Sequence, residues 1–230
     1  MSFTAELRAQ NDDLFTEFWE HPFLRGLHDG TLGAEQVTHY VGQDHQYLNA
    51  FLRCYGHGIT RSPDRAWVAW FNDQIRFLLE DEQHPHHVLC DAVGIRYDEV
   101  LQKELAPSAQ AYVNHMESAA HDSLPVLLSA LLPCVWTYIW AGTRAMTEEP
   151  PAADNPFRGW WEFYASPTCR LTLENFRSRI DQLAEEAGPA ERARMAKAFT
   201  LGCRHEVRFW EMAWSLESWT SPRREPLPAA

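Results

Sequence analysis

From Ser129 to Trp140 the chain reads SALLPCVWTYIW, preceded by Leu127 and Leu128. A helix that is apolar on nearly every side has to be buried, so this segment predicts a central helix around which the other elements pack. Polar atoms placed there need a reason. Pro133 has no N–H to give to the Ser129 carbonyl, which predicts a kink or restart with Cys134 on the turn that follows. Tyr138 lies four residues on and brings a hydroxyl to the Cys134 face. A lone buried cysteine packs as a small hydrophobe, and Cys134 has a chemical role only if other polar groups converge on it.

The rest of the chain supplies helices and no clear strand alternation, so the expected fold class is all-α. Helical spacing covers residues 3–19, a short piece ends at Asp29-Gly30, and a long helix runs from Gly33 to about Arg61. Ser62-Pro63 opens a helix that continues to Pro85, and residues 91–107 read as a connection with a small helical piece. Further helices are expected from Ala106 to His121, from Trp160 to Tyr164, from Pro167 to about Ala187 and from about Ala190 to Trp219, with a Pro-rich loop at Thr147–Phe157. With 230 residues and 45% hydrophobic content, one helical domain over 1–219 and a Pro-rich tail over 220–230 are expected.

Composition narrows the function classes. A net charge of −12 disfavours nucleic acid or anionic membrane as the main partner and leaves a small molecule as the expected one. The apolar run around Cys134 is too short to span a bilayer, and the amino terminus lacks a signal-peptide pattern. Five cysteines, far apart and without a CxxC pair, suggest neither a disulfide framework nor a thiolate metal site; a cytoplasmic location follows as the expectation. Ten tryptophans fit helix packing, subunit interfaces and a pocket for a flat ligand equally well.

Other polar groups do fall on apolar stripes. Asp44 and Tyr47 share a face of the long 33–61 helix, Tyr112 lies on the apolar side of its helix, and Glu206 sits in a stripe with Phe199, Cys203, Phe209 and Trp210. A carboxylate so surrounded is either paired, for which Arg208 or His205 is at hand, or kept for proton transfer. The Glu82, His84, His86, His87 cluster has metal-ligand residue types, but Pro85 interrupts the helix that would align Glu82 with His86, so no metal is assigned.

The combination resembles the TenA family, the thiaminase II enzymes of thiamin salvage. The resemblance is carried by DGTL (29–32), QDHQYL (43–48), ALLPCVWTY (130–138), WWEFYAS (160–166) and HEVRFWEMAW (205–214). It implies a haem-oxygenase-like helical bundle, usually a homotetramer, that acts on an aminopyrimidine substrate without metal or organic cofactor. The reaction cleaves the bond from the 5-methylene of 4-amino-2-methylpyrimidine to ammonia or to a thiazole and releases hydroxymethylpyrimidine. By matched motif, Cys134 is the nucleophile and Glu206 the proton donor. Tyr47 tunes the thiol; Asp44, Tyr138, Tyr164 and Tyr112 hold substrate; and Phe209 is a candidate to stack on the ring. His45 stands where the family commonly has an aromatic residue, which bears on substrate preference. Two other readings stay open: a pyrimidine- or thiamin-binding protein without activity, and a metal-dependent oxidase using Glu82 and His86, with His205 as a further candidate.

Overall fold

Proline and glycine set most of the helix ends. In the computed structural model, which describes residues 1–80, 83–101 and 104–219, five helices carry a proline in the first turn. They are α3 (Pro22–Asp29), α7 (Pro107–Ala120), α8 (Leu124–Glu148), α10 (Pro167–Glu186) and α11 (Pro189–Ser215). A proline there gives up an N–H that has no intrahelical acceptor in any case. Gly30, at φ +73°, closes α3 in the left-handed conformation that a side chain would resist. The remaining helices are α1 (Phe3–Gln10), α2 (Asp12–Glu20), α4 (Ala34–Thr60), α5 (Arg65–Glu80), α6 (Gln83–Ala92) and α9 (Arg158–Tyr164), with a 3₁₀ turn at Tyr97–Glu99. Among the described residues there is no strand, and the expected Pro-rich tail lies outside them.

Three expectations are corrected. The first helix is two, because the chain breaks at Asn11, whose side chain donates to the Leu7 carbonyl at 2.8 Å and so ends α1. Pro133 does not restart the central helix: α8 runs unbroken for 25 residues, held by packing on all sides. Its full length, including the flanks beyond Trp140, is also long and apolar enough to cross a membrane. Here 78% of its most apolar window is instead buried among the other helices.

The bundle is built on α8 and α11, the most extensively packed pair, with α7, α9, α10 and α4 completing the shell around α8. Two glycines permit the close approaches. A Cβ on Gly142 would lie 2.6 Å from Tyr164 Cβ, so α9 rests directly on the α8 backbone. A Cβ on Gly202 would lie 2.6 Å from Pro133 Cγ and 3.2 Å from the Ala130 carbonyl oxygen, with backbone and a rigid ring giving little room. Gly202→Ala is therefore expected to destabilise the fold by about 1–3 kcal/mol through overpacking. Urea unfolding would record this as a lower midpoint at unchanged slope.

Candidate active site

The same close packing brings polar side chains from six helices, α4, α6, α7, α8, α9 and α11, to one interior place. On α4 the inward stripe Tyr40, Asp44, Tyr47 and Phe51 is buried along its whole length. On α8 the turn after Pro133 carries Cys134, which is half-buried, and Tyr138, which is buried. Asp44, Cys134, Tyr138 and Tyr164 line one pocket, partly open to solvent. Phe51, Val135, Phe77 of α5 and Thr172 of α10 also line it. Such a pocket, apolar with a few convergent polar groups, suits a flat ring with polar edges.

Asp44 is 6% exposed and is not alone. His86 Nε2 lies 2.7 Å from its Oδ2 and the Tyr40 hydroxyl 3.4 Å from the same atom; Tyr40 also reaches the Tyr138 hydroxyl at 3.2 Å. His86 was grouped in sequence with a candidate metal cluster, but α6 turns it inward while His84 and His87 are exposed. Glu82 lies outside the described residues. His205 stacks on the Tyr112 ring at 5.1 Å, and among the described residues no group of three or more His, Cys, Asp or Glu side chains is arranged to hold a metal.

Glu206 is 2% exposed, and its partner is neither Arg208, which is exposed, nor His205. The Tyr112 hydroxyl donates to its Oε1 at 2.5 Å. Burial pushes the Glu206 carboxyl up to about 8; the Tyr112 hydrogen bond opposes this, the nearby Asp44 charge adds to it, and the Thr137 hydroxyl opposes it weakly. A carboxyl held protonated near neutral pH can donate a proton.

Tyr47 is fully enclosed, and its hydroxyl has no hydrogen-bond partner of ordinary geometry. Burial, with Cys134, Tyr112 and Glu206 close by, raises its phenol well above the usual range, so it keeps its proton and remains a donor. Tyr47, Tyr112, Glu206 and Phe209 are packed beside the pocket rather than on its wall. Tyr112 is committed to Glu206, and Phe209 packs its ring on Tyr47 at 5.5 Å and on Tyr40 at 6.2 Å. His45 is half-buried and its Nδ1 meets the Tyr97 hydroxyl at 2.9 Å. The sequence reasoning missed Tyr40 and the pairing of His86 with Asp44; Tyr40's place four residues before Asp44 on one stripe is the signal that was available.

Comparison with known proteins gives this arrangement a setting. An aminopyrimidine aminohydrolase from Halalkalibacterium halodurans is 29% identical over 221 residues, covering 95% of this chain and 98% of the relative. A TenA homologue protein from P. horikoshii superposes with a TM-score of 0.82 at 25% identity, over 94% of this chain and 99% of that one. Heme oxygenase-1 from the cyanobacterium Synechocystis, at 12% identity, shares the fold alone, with a TM-score of 0.62 over 94% of each chain. The model of the TENA/THI-4/PQQC family matches residues 7–216. With that match over nearly the whole bundle, Cys134, Asp44 and Glu206 included, the chain belongs to the TENA/THI-4/PQQC family.

Proposed function

We propose that this chain is an aminopyrimidine aminohydrolase of the thiaminase II type, converting 4-amino-5-aminomethyl-2-methylpyrimidine to the 5-hydroxymethyl compound. The observation that carries the reading is the meeting of Cys134 and Asp44 on one pocket wall, with the buried carboxyl of Glu206 packed beside it. Relatives that carry the name aminopyrimidine aminohydrolase over nearly this chain's full length support it.

Direct displacement of an amine from the methylene is slow, and the site offers a way round it. The Cys134 thiolate adds to C6 of the ring, breaking its aromaticity, and the electron pair moves onto the ring nitrogens. Asp44 stabilises that charge distribution by hydrogen bonding to the ring edge, and Tyr47, which keeps its proton, donates to the sulfur while it is a thiolate. The ring then pushes out the amine, and Glu206 supplies the proton that lets ammonia depart. Water adds to the exocyclic methylene, its proton returns to Glu206, and loss of the thiolate restores the aromatic ring. Tyr138 and Tyr164 hold the substrate from the pocket wall, while Tyr112 and Phe209 act through Glu206 and Tyr47. These steps use side chains and water, with no metal or organic cofactor. A cytoplasmic homotetramer completes the proposal; the family resemblance supports it, and exposed Leu79, Leu171 and Trp214 offer apolar surface for subunit contacts.

The test is release of hydroxymethylpyrimidine, measured side by side from aminomethylpyrimidine and from thiamin. Turnover of the amine at least tenfold faster than thiamin is the expected result. No release from either, with pyrimidine binding retained, would replace the enzyme by a binding protein.

A further inference from the structure

Asp44 is joined to the outside of the bundle by a line of side chains that the hydrolysis above leaves unused. From its Oδ2, His86 Nε2 is 2.7 Å away; His86 Nδ1 is 3.4 Å from the Tyr97 hydroxyl; and that hydroxyl is 2.9 Å from His45 Nδ1. His86 is 1% exposed, whereas Tyr97 and His45 are half-buried and the exposed His87 packs its ring 4.7 Å from that of Tyr97. Carboxylate, imidazole, phenol and imidazole thus run in order from the pocket wall to the rim. The His86 and Tyr40 contacts both fall on Oδ2, which leaves Oδ1 to the pocket.

The hydrogen bonds fix how protons can be arranged along this line. Asp44 Oδ2 accepts from His86 Nε2–H, and the proton that the carboxyl carries into the reaction sits on Oδ1, toward the pocket. Tyr97 has one proton: given to His86 Nδ1, it leaves the phenol oxygen to accept from His45; given to His45 Nδ1, the oxygen accepts from a doubly protonated His86. Moving between the two arrangements passes a proton across the line without side chains changing place. Burial, with Asp44 and Cys90 nearby, holds the Tyr97 phenol up at about 12, and burial with His86 nearby holds His45 below the usual imidazole range. Both therefore rest in the neutral form between transfers. A purely structural partner for Asp44 would need His86 alone.

The geometry points to a proton relay in which His45, Tyr97 and His86 deliver a proton to Asp44 and take it back. It rests on the aminohydrolase reading. When the thiolate adds at C6, a ring nitrogen gains a proton from Asp44; His86 restores Asp44, Tyr97 restores His86, His45 restores Tyr97 and solvent restores His45. When the thiolate leaves, the ring nitrogen gives the proton up and each step reverses. One proton enters and one departs, so no co-reactant is consumed. His86 is the positioning residue for Asp44, and Tyr97 and His45 act through it.

Two variants at the half-buried end test this without disturbing the core. Tyr97→Phe keeps the ring and removes the proton carrier, so kcat should fall about tenfold with KM within about twofold of wild type. His45→Ala should lose activity that added imidazole restores in proportion to its concentration, a response that a packing role would not give. Unchanged kcat in Tyr97→Phe, or a His45→Ala defect indifferent to imidazole, would overturn the relay while leaving the aminohydrolase intact. Wild type without turnover would overturn both, because the relay would then have nothing to serve.

Discussion

Cys134→Ser should leave a folded protein with hydroxymethylpyrimidine release reduced by about a thousandfold or more. The step at risk is addition to the ring. A thiolate is polarisable and accessible near neutral pH, whereas a serine hydroxyl is scarcely ionised, and the neighbouring Tyr47 phenol holds its own proton firmly. The packing change is small, since Cys134 is half-buried on the pocket wall and a hydroxyl is only slightly smaller than a thiol. Stability should therefore move by no more than about 1 kcal/mol. Thermal unfolding and the release assay on one preparation separate the two effects, and a serine variant of full activity would sink the covalent route.

That experiment tests the part of the molecule most plainly written in the chain. An all-apolar segment has one physical solution in water, and Leu124–Glu148 takes it. Many helix ends marked by proline or glycine were legible to within a few residues, as Ala34–Thr60, Pro107–Ala120 and Pro167–Glu186 illustrate, whereas Pro85, expected to end a helix, lies inside Gln83–Ala92. The break at Asn11 was not, because an asparagine side chain folding back on a carbonyl leaves no mark in the apolar pattern.

The polar partners were harder to read, and for one reason. Sequence proximity suggested Arg208 or His205 for Glu206, but neighbours at one and two residues on a helix point away from each other, and the partner, Tyr112, comes from a helix 94 residues distant. His86 stood among histidines as if in a cluster; helix rotation sends His84 and His87 outward and leaves His86 to Asp44, 42 residues away. Which anomalies converge was legible; how each is satisfied was a matter of packing between α4, α6, α7 and α11. Tyr112 and Phe209 show the consequence, since both sit one layer behind the wall that residue matching alone would give them.

The second large effect belongs to Glu206→Gln, and it separates catalysis from stability. Glutamine keeps the shape and still accepts from the Tyr112 hydroxyl, but it has no proton to give the departing amine, so kcat should drop by about a hundred- to a thousandfold with KM little changed. Wild-type kcat should fall as pH rises through about 8, where the donor is lost, and the variant's residual rate should lack that limb. Stability runs the other way. Because burial raises the folded carboxyl above its unfolded value, its contribution is fully present at pH below about 4.5 and is lost as pH rises toward 8, where the unfolded chain ionises freely and the buried group resists. A neutral glutamine escapes that loss. Denaturant unfolding should find the variant close to wild type at pH 5 and more stable at pH 8.5, by on the order of 2 kcal/mol. A variant equally slow but no more stable at alkaline pH would mean that Glu206 is already ionised in the folded protein, and proton donation to the amine would have to come from another group.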